Sequence, residues 1–290
     1  MFHDTFKGLQ RELARAILRP LFAFHFIRRR ALALLAAHYD KGELTLRYRL
    51  PDHTLLLDPR DDVIAARVLL RGDWQRRDLM RVVALLKTRV PASEGKIFVD
   101  VGANIGTETV YAMLSGFFSG AVSIEPEPRN FAFLSENIAA NALQSRVRIV
   151  KCAVAATVGR GELARSHSNM GGHAIAAGTG SDDRINVELR PLDSILADAG
   201  IAPAEAGLVW IDVNGTEDDV LAGMPALLSQ RVPLVLEHLP SFISETTARN
   251  IHRILSAHYR CFCRVDDVDH EPADIKRFDP LKDTGDFLFY

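Results

Sequence analysis

Acids and glycines fall at spacings that can hold a ligand. The stretch Ile97 to Gly106 reads IFVDVGANIG, an apolar run followed by Asp100, Gly102, Asn104 and Gly106. Glycine adopts φ > 0 readily and carries no Cβ. A strand that ends in such a turn before a helix leaves unpaired backbone N–H groups facing a ligand. Ala103 lies in the same turn, and Thr107 opens the helix that follows. The dinucleotide fingerprint G-x-G-x-x-G is not met. Asn104 stands where its second glycine would be, and Asp100 adds negative charge that disfavours a phosphate. A second apolar stretch, Ala121 to Ile124, ends in Glu125 and Pro126. An acid at that strand tip suits a ribose diol. Acid, glycine turn and second acid together fit a nucleoside with no phosphate and a cationic amino-acid tail, the chemistry of S-adenosyl-L-methionine.

Two further strand ends carry titratable groups. Asp212 follows the apolar run Leu208 to Ile211, and Glu237-His238 ends the run Val232 to Leu236. A carboxylate among apolar residues is costly unless paired. Asp212 is therefore either a hydrogen-bonded structural acid or a group near the reacting atom. A carboxylate beside an imidazole is an acid–base pair in outline, and also an ordinary exposed strand end.

The blocks DVGANIGTET, SIEPEP, LDSIL, WIDVNGTEDDVLAGM and VLEH occur in that order between Asp52 and Tyr290. Together they resemble the FkbM-type methyltransferases, a class I S-adenosylmethionine-dependent family. The resemblance implies a Rossmann-like α/β fold, a mostly parallel seven-stranded sheet with one antiparallel strand and helices on both faces. It implies S-adenosyl-L-methionine held by Asp100, Gly102, Ala103, Asn104, Gly106, Thr107, Glu125, Pro126 and Ala153. It also implies transfer to a hydroxyl of a small-molecule or glycan acceptor, with His238 taking the proton and Asp212 or Glu237 holding the imidazole. The family commonly has Glu where this chain has Asn214, and Lys where it has Trp210. Asn hydrogen-bonds but is no general base at neutral pH. Transfer to nitrogen or carbon, a cofactor-binding module with impaired catalysis, and a nicotinamide oxidoreductase are the competing readings.

The elements that position these residues follow from periodicity. Residues 43–50 and 53–57 alternate as a hairpin, and Leu79 to Thr88 has helical spacing. Further helices are expected over residues 129–142, 217–228 and 251–258, with Asp193 as the cap of a helix starting at Leu192. Residues 159–180 are rich in Gly, Ser, Asn and His and read as a loop, either a surface excursion or a lid. Asn169, Gly171, Gly172 and His173 are its candidate contacts to an acceptor, with Asn214 opposite.

The two-part division expected is an N-terminal helical and hairpin extension over residues 1–90 and a cofactor-binding domain over 91–290. Residues 6–38 read as basic, aromatic-rich amphipathic helices, suited to packing on the domain, on a second subunit in a homo-oligomer, or on an anionic membrane surface. The formal net charge of −2 gives no field for nucleic acid. Three cysteines, Cys152, Cys261 and Cys263, without a zinc-type spacing, fit reduced core thiols in a cytoplasmic protein with no bound metal. No run of about 18 apolar residues reads as a membrane span.

Overall fold

The computed structural model describes residues 45–166, 171–175, 183–267 and 271–290; the helices expected over residues 6–38 and Asn169 lie outside them. A central sheet runs in the order β13-β12-β14-β11-β10-β3-β4-β5. Its strands are β3 (Ile97–Val101), β4 (Gly120–Ile124), β5 (Val147–Val150), β10 (Ala206–Ile211), β11 (Leu234–His238), β12 (Cys261–Arg264), β13 (Ala273–Asp274) and β14 (Gly285–Phe289). β5, β4, β3, β10 and β11 are parallel, and β14 runs antiparallel between β11 and β12. The sheet has eight strands rather than seven, because the two-residue β13 pairs antiparallel along the outer edge of β12.

The period of two sorts this sheet into two cores. Val99, Val101, Val209, Ile211, Leu234 and Leu236 face one side. Over them lie α5 (Leu192–Asp198), α6 (Glu217–Ala222), α7 (Pro225–Ser229) and α8 (Glu245–His258). Phe98, Ala121, Leu208, Trp210, Val235 and Leu288 face the other side, beneath α2 (Arg76–Arg89), α3 (Thr107–Leu114) and α4 (Pro128–Ala140). Trp210 fills this second core.

The hairpin of β1 (Leu46–Arg49) and β2 (Thr54–Leu57), with α1 (Ile64–Arg71), belongs to the same body. Leu55, Leu57, Ile64 and Val68 pack on Ile105 and Phe133. Two asparagines of α4 satisfy the open edge of β2. Asn137 accepts from the Leu56 N–H at 2.5 Å, and Asn141 accepts from the Thr54 N–H at 2.9 Å. Packing therefore crosses the boundary expected at residue 90.

Three local expectations change. The helix expected over residues 217–228 is two helices, because Pro225 cannot continue the first. Gly223 at that break has no room for a side chain: a Cβ would come within 2.3 Å of the Ala155 carbonyl oxygen. Asp193 caps the second of these helices rather than its own, accepting from the Ala226 N–H at 2.7 Å. The segment expected as a loop from residue 159 begins as β7 (Gly159–Ala164), which pairs antiparallel with β9 (Arg184–Arg190). With β6 (Ala153–Val154) and β8 (Ala174–Ile175) they form a second sheet in the order β6-β9-β7-β8.

Candidate active site

Two joined cavities open at the carboxyl ends of the parallel strands, where open α/β sheets bind ligands. The smaller is lined by Gly102, Asn104, Glu125, Pro126, Asn130, Ala153 and His173 among others. The larger, about 820 Å³, is lined by Trp74, Glu108, Gly172, Glu237, Leu239 and Phe242 among others. They share Gly102, Asn104, Gly171, Asp212 and Asn214.

The glycine turn is shaped first by the protein itself. Gly102 has φ +85°, and a Cβ there would lie 2.0 Å from the Asp212 carbonyl oxygen. Gly106 has φ +84°, and its Cβ would meet Leu134 Cδ1 at 2.6 Å. Asn104 takes φ +50°, a left-handed conformation that asparagine tolerates better than most residues. Glu125 locks the turn in place. Its Oε2 accepts from the Asn104 N–H at 2.9 Å and its Oε1 from the Glu127 N–H at 2.8 Å. Burial pushes the Glu125 carboxyl up to about 8. Glu127 in turn caps α4, accepting from the N–H groups of Arg129 and Asn130.

Four expected cofactor residues line neither cavity. Ala103 is packed in the second core and Gly106 is filled against Leu134. The Thr107 hydroxyl donates to Glu108 Oε2 at 2.6 Å. Asp100 is 1 % exposed, sits beneath α3, and accepts from the Thr109 hydroxyl, which also meets Ser123. Strand alternation puts Asp100 on the face of Phe98, away from the turn that the sequence suggested it would serve.

The same parity gathers acids and removes a histidine. Glu237 shares the face of Val235, opposite Asp286 in the β11–β14 register, and its carboxyl lies beside that of Asp212. Burial, with Asp212 beside it, pushes Glu237 up to about 9, and burial also raises Asp212. Burial takes Asp100 and Asp286 to about 7 and Glu108 well above the usual carboxylate range. His238 faces the other core. It is 1 % exposed, its Nε2 meets the Pro280 carbonyl oxygen at 2.9 Å, and its ring lies 5.3 Å from that of Phe278. Burial lowers its pKa. The structure therefore separates His238 from Asp212 and Glu237, and corrects the expectation that the imidazole reaches the acceptor.

Asn214 has a definite task. Its Nδ2 donates to the carbonyl oxygens of Gly171 at 2.8 Å and His173 at 3.0 Å, holding that segment across both cavities. An ionised glutamate has no proton for either bond. Gly171, Gly172, His173 and Asn214 all line the cavities. Glu108, Asp286, Asn130, Trp74 and Phe242 were not singled out from sequence as site residues. For Glu108 the signal was an acid in the first turn after the glycine run. For Asp286 it was an acid directly before the apolar run Phe287 to Phe289.

The "Methyltransferase FkbM domain" family matches residues 100–261, more than half of the chain. The chain belongs to the FkbM methyltransferase family. The "31-O-demethyl-FK506 methyltransferase FkbM" of Streptomyces tacrolimicus is 29 % identical over 179 residues, which are 51 % of this chain and 66 % of that protein. The crystal structure of an FkbM methyltransferase from Methylobacillus flagellatus KT is 19 % identical with a TM-score of 0.45, covering 68 % of this chain and 44 % of that one. M. jannaschii TYW2 in complex with AdoMet is 13 % identical with a TM-score of 0.43, covering 87 % and 85 %. The chain thus spans under two thirds of the length of both FkbM proteins. Within the matched region, Gly102, Asn104, Glu125, Asp212 and the segment carrying Gly171 and His173 lie on the walls of the two cavities.

Proposed function

We propose that this chain transfers the methyl group of S-adenosyl-L-methionine to a hydroxyl oxygen of a small-molecule acceptor, a sugar or glycan-linked molecule, with Asp212 as the base. The observation that carries this reading is the pair of joined cavities, with Asp212 on their shared wall and Glu237 beside it in the larger one. Their described lining holds Glu108, Glu125, Asp212 and Glu237 and no lysine or arginine. Such a lining fits a cationic ligand without phosphate and disfavours a pyrophosphate-bearing nicotinamide cofactor. Glu125 suits a ribose diol, while Ala153, Ile124 and Val154 offer an apolar slot for a base.

When bound, S-adenosyl-L-methionine supplies a methyl group activated by its sulfonium. The protein holds the acceptor oxygen in line, which contributes several kcal/mol, roughly 7–11 in favourable systems. Asp212 takes the hydroxyl proton. Glu237, protonated at neutral pH, donates to Asp212 and keeps its carboxylate oriented. Trp74, Leu239, Phe242 and Ile243 give the larger cavity apolar surfaces for an acceptor ring. The oxygen acceptor also agrees with the name of the S. tacrolimicus relative, a 31-O-demethyl-FK506 methyltransferase.

The test is calorimetric titration with S-adenosylmethionine, S-adenosylhomocysteine and NADH, followed by a labelled-methyl screen of hydroxylated acceptors and product analysis. Binding of both adenosyl compounds but not NADH, with the label on oxygen, is the expected result. A label on nitrogen or carbon would overturn the acceptor assignment. Binding without turnover across the screen would favour a cofactor-binding module.

A further inference from the structure

The sequence places the negative charge for the cofactor's amino-acid tail on Asp100, but Asp100 is occupied by Thr109 and lines neither cavity. Another acid, Glu108, stands nearby with an oxygen still open. Glu108 is 6 % exposed and lines the larger cavity together with Gly102 and Asn104, which also line the smaller one. Thr107 fixes only its Oε2, and its Oε1 is buried with no hydrogen-bond partner. A buried carboxylate oxygen left open is costly unless a ligand supplies the missing donor.

We propose that Glu108 is the binding site for the α-ammonium group of the cofactor's methionyl tail. The inference rests on the S-adenosylmethionine reading and deepens it. An ammonium offers three N–H donors. One directed to Glu108 Oε1 satisfies the open oxygen and brings a positive charge to a wall that carries Glu108, Asp212 and Glu237. The tail then runs from the ribose at Glu125, over Gly102, to the start of α3. This leaves the Asp212–Glu237 pair facing the acceptor.

The experiment is calorimetric titration of the full chain with three probes: S-adenosylhomocysteine, its des-amino analogue, and 5′-methylthioadenosine, which lacks the amino-acid tail. All three omit the sulfonium charge. Wild-type protein should bind S-adenosylhomocysteine about tenfold or more tighter than the des-amino analogue, the size of one hydrogen bond to a charged group. Glu108→Gln should bring S-adenosylhomocysteine down to the level of the analogue while leaving 5′-methylthioadenosine unchanged, which also reports that the variant is folded. Asp100→Asn should keep the gap. A gap that survives in Glu108→Gln, or no gap in the wild type, overturns the assignment while leaving the cofactor reading intact. Failure of all three probes to bind the wild type overturns both.

Discussion

Glu237 and Asp212 are neighbouring buried carboxyls, and under the proposed function their pairing sets the pH range in which Asp212 serves as base. Burial puts the Glu237 carboxyl at about 9, so near neutral pH it carries a proton that it can donate to Asp212. Above that pH Glu237 ionises, and two like charges then face each other. Turnover of the wild type should therefore fall on the alkaline side near pH 9. Glu237→Gln keeps a donor but cannot ionise, so its kcat/KM should stay level through that range. A wild-type plateau to pH 10, or an alkaline limb that persists in the glutamine variant, would contradict the pairing. Asp212→Asn should lower turnover by about 10²–10⁴, the range for a lost general base, while S-adenosylhomocysteine still binds. His238 separates structure from catalysis. Its bond to Pro280 lies in the opposite core, so His238→Asn should cost about 1–3 kcal/mol of stability and leave turnover of the folded enzyme unchanged. Denaturant titration alongside steady-state kinetics reads both, and a selective loss of turnover would restore the imidazole to the mechanism.

Elements meet at the glycine turn with almost no clearance, and the consequences can be measured by unfolding. Gly102 lets the end of β3 lie against the backbone after β10, with Asp212 O at 2.0 Å from where a Cβ would be. Gly102→Ala adds that clash to a strained positive φ and should destabilise the protein by more than about 2 kcal/mol, read as a lower denaturation midpoint even without ligand. Full stability with only weakened cofactor binding would mean that the glycine serves the ligand alone. Asn214→Asp tests the cover over the cavities. It replaces two N–H donors by a carboxylate facing the Gly171 and His173 carbonyl oxygens, and should weaken S-adenosylhomocysteine binding by about 1–3 kcal/mol. Unchanged affinity would show that this contact is not maintained in the bound state. The contrast between these two positions explains what the sequence can tell. The glycine turn, the strand-end acids and the apolar strands are local patterns, so the fold and the place of the cavity could be read directly. Asp100 and His238 could not be placed, because which way a strand-end residue faces depends on the register of the neighbouring strands. Glu108 and Asp286 carry no motif, and only the packing of α3 and β14 brings them to the acid wall.

For the whole molecule, the acid wall makes stability depend on pH in a defined direction. Burial raises Asp100, Asp286 and Glu217 to about 7 and Glu237 to about 9. In the unfolded chain these groups titrate near 4. Over the interval between, the native state binds more protons than the unfolded one, so stability falls as pH rises. On the acid side the sign reverses at Asp52 and Asp58. Hydrogen bonds from Arg76 and His53 hold Asp52 below its ordinary value. At Asp58, burial works upward but Arg60 and Arg129 outweigh it. Their contribution is present above about pH 4 and is lost as pH falls through the lowered values. The ligand-free protein should therefore be most stable in mildly acidic solution, and its melting temperature should fall by several degrees between pH 6 and pH 9. A cationic cofactor meets this acid wall only after folding, so S-adenosylmethionine should stabilise the protein more at pH 8.5 than at pH 6. Thermal melts across this range, with and without the cofactor, decide the matter. A melting temperature that climbs steadily to pH 9 in the ligand-free protein would mean that the carboxyls are hydrated or paired with cations rather than sharing protons, and the acid–base assignment of Asp212 and Glu237 would fall with it.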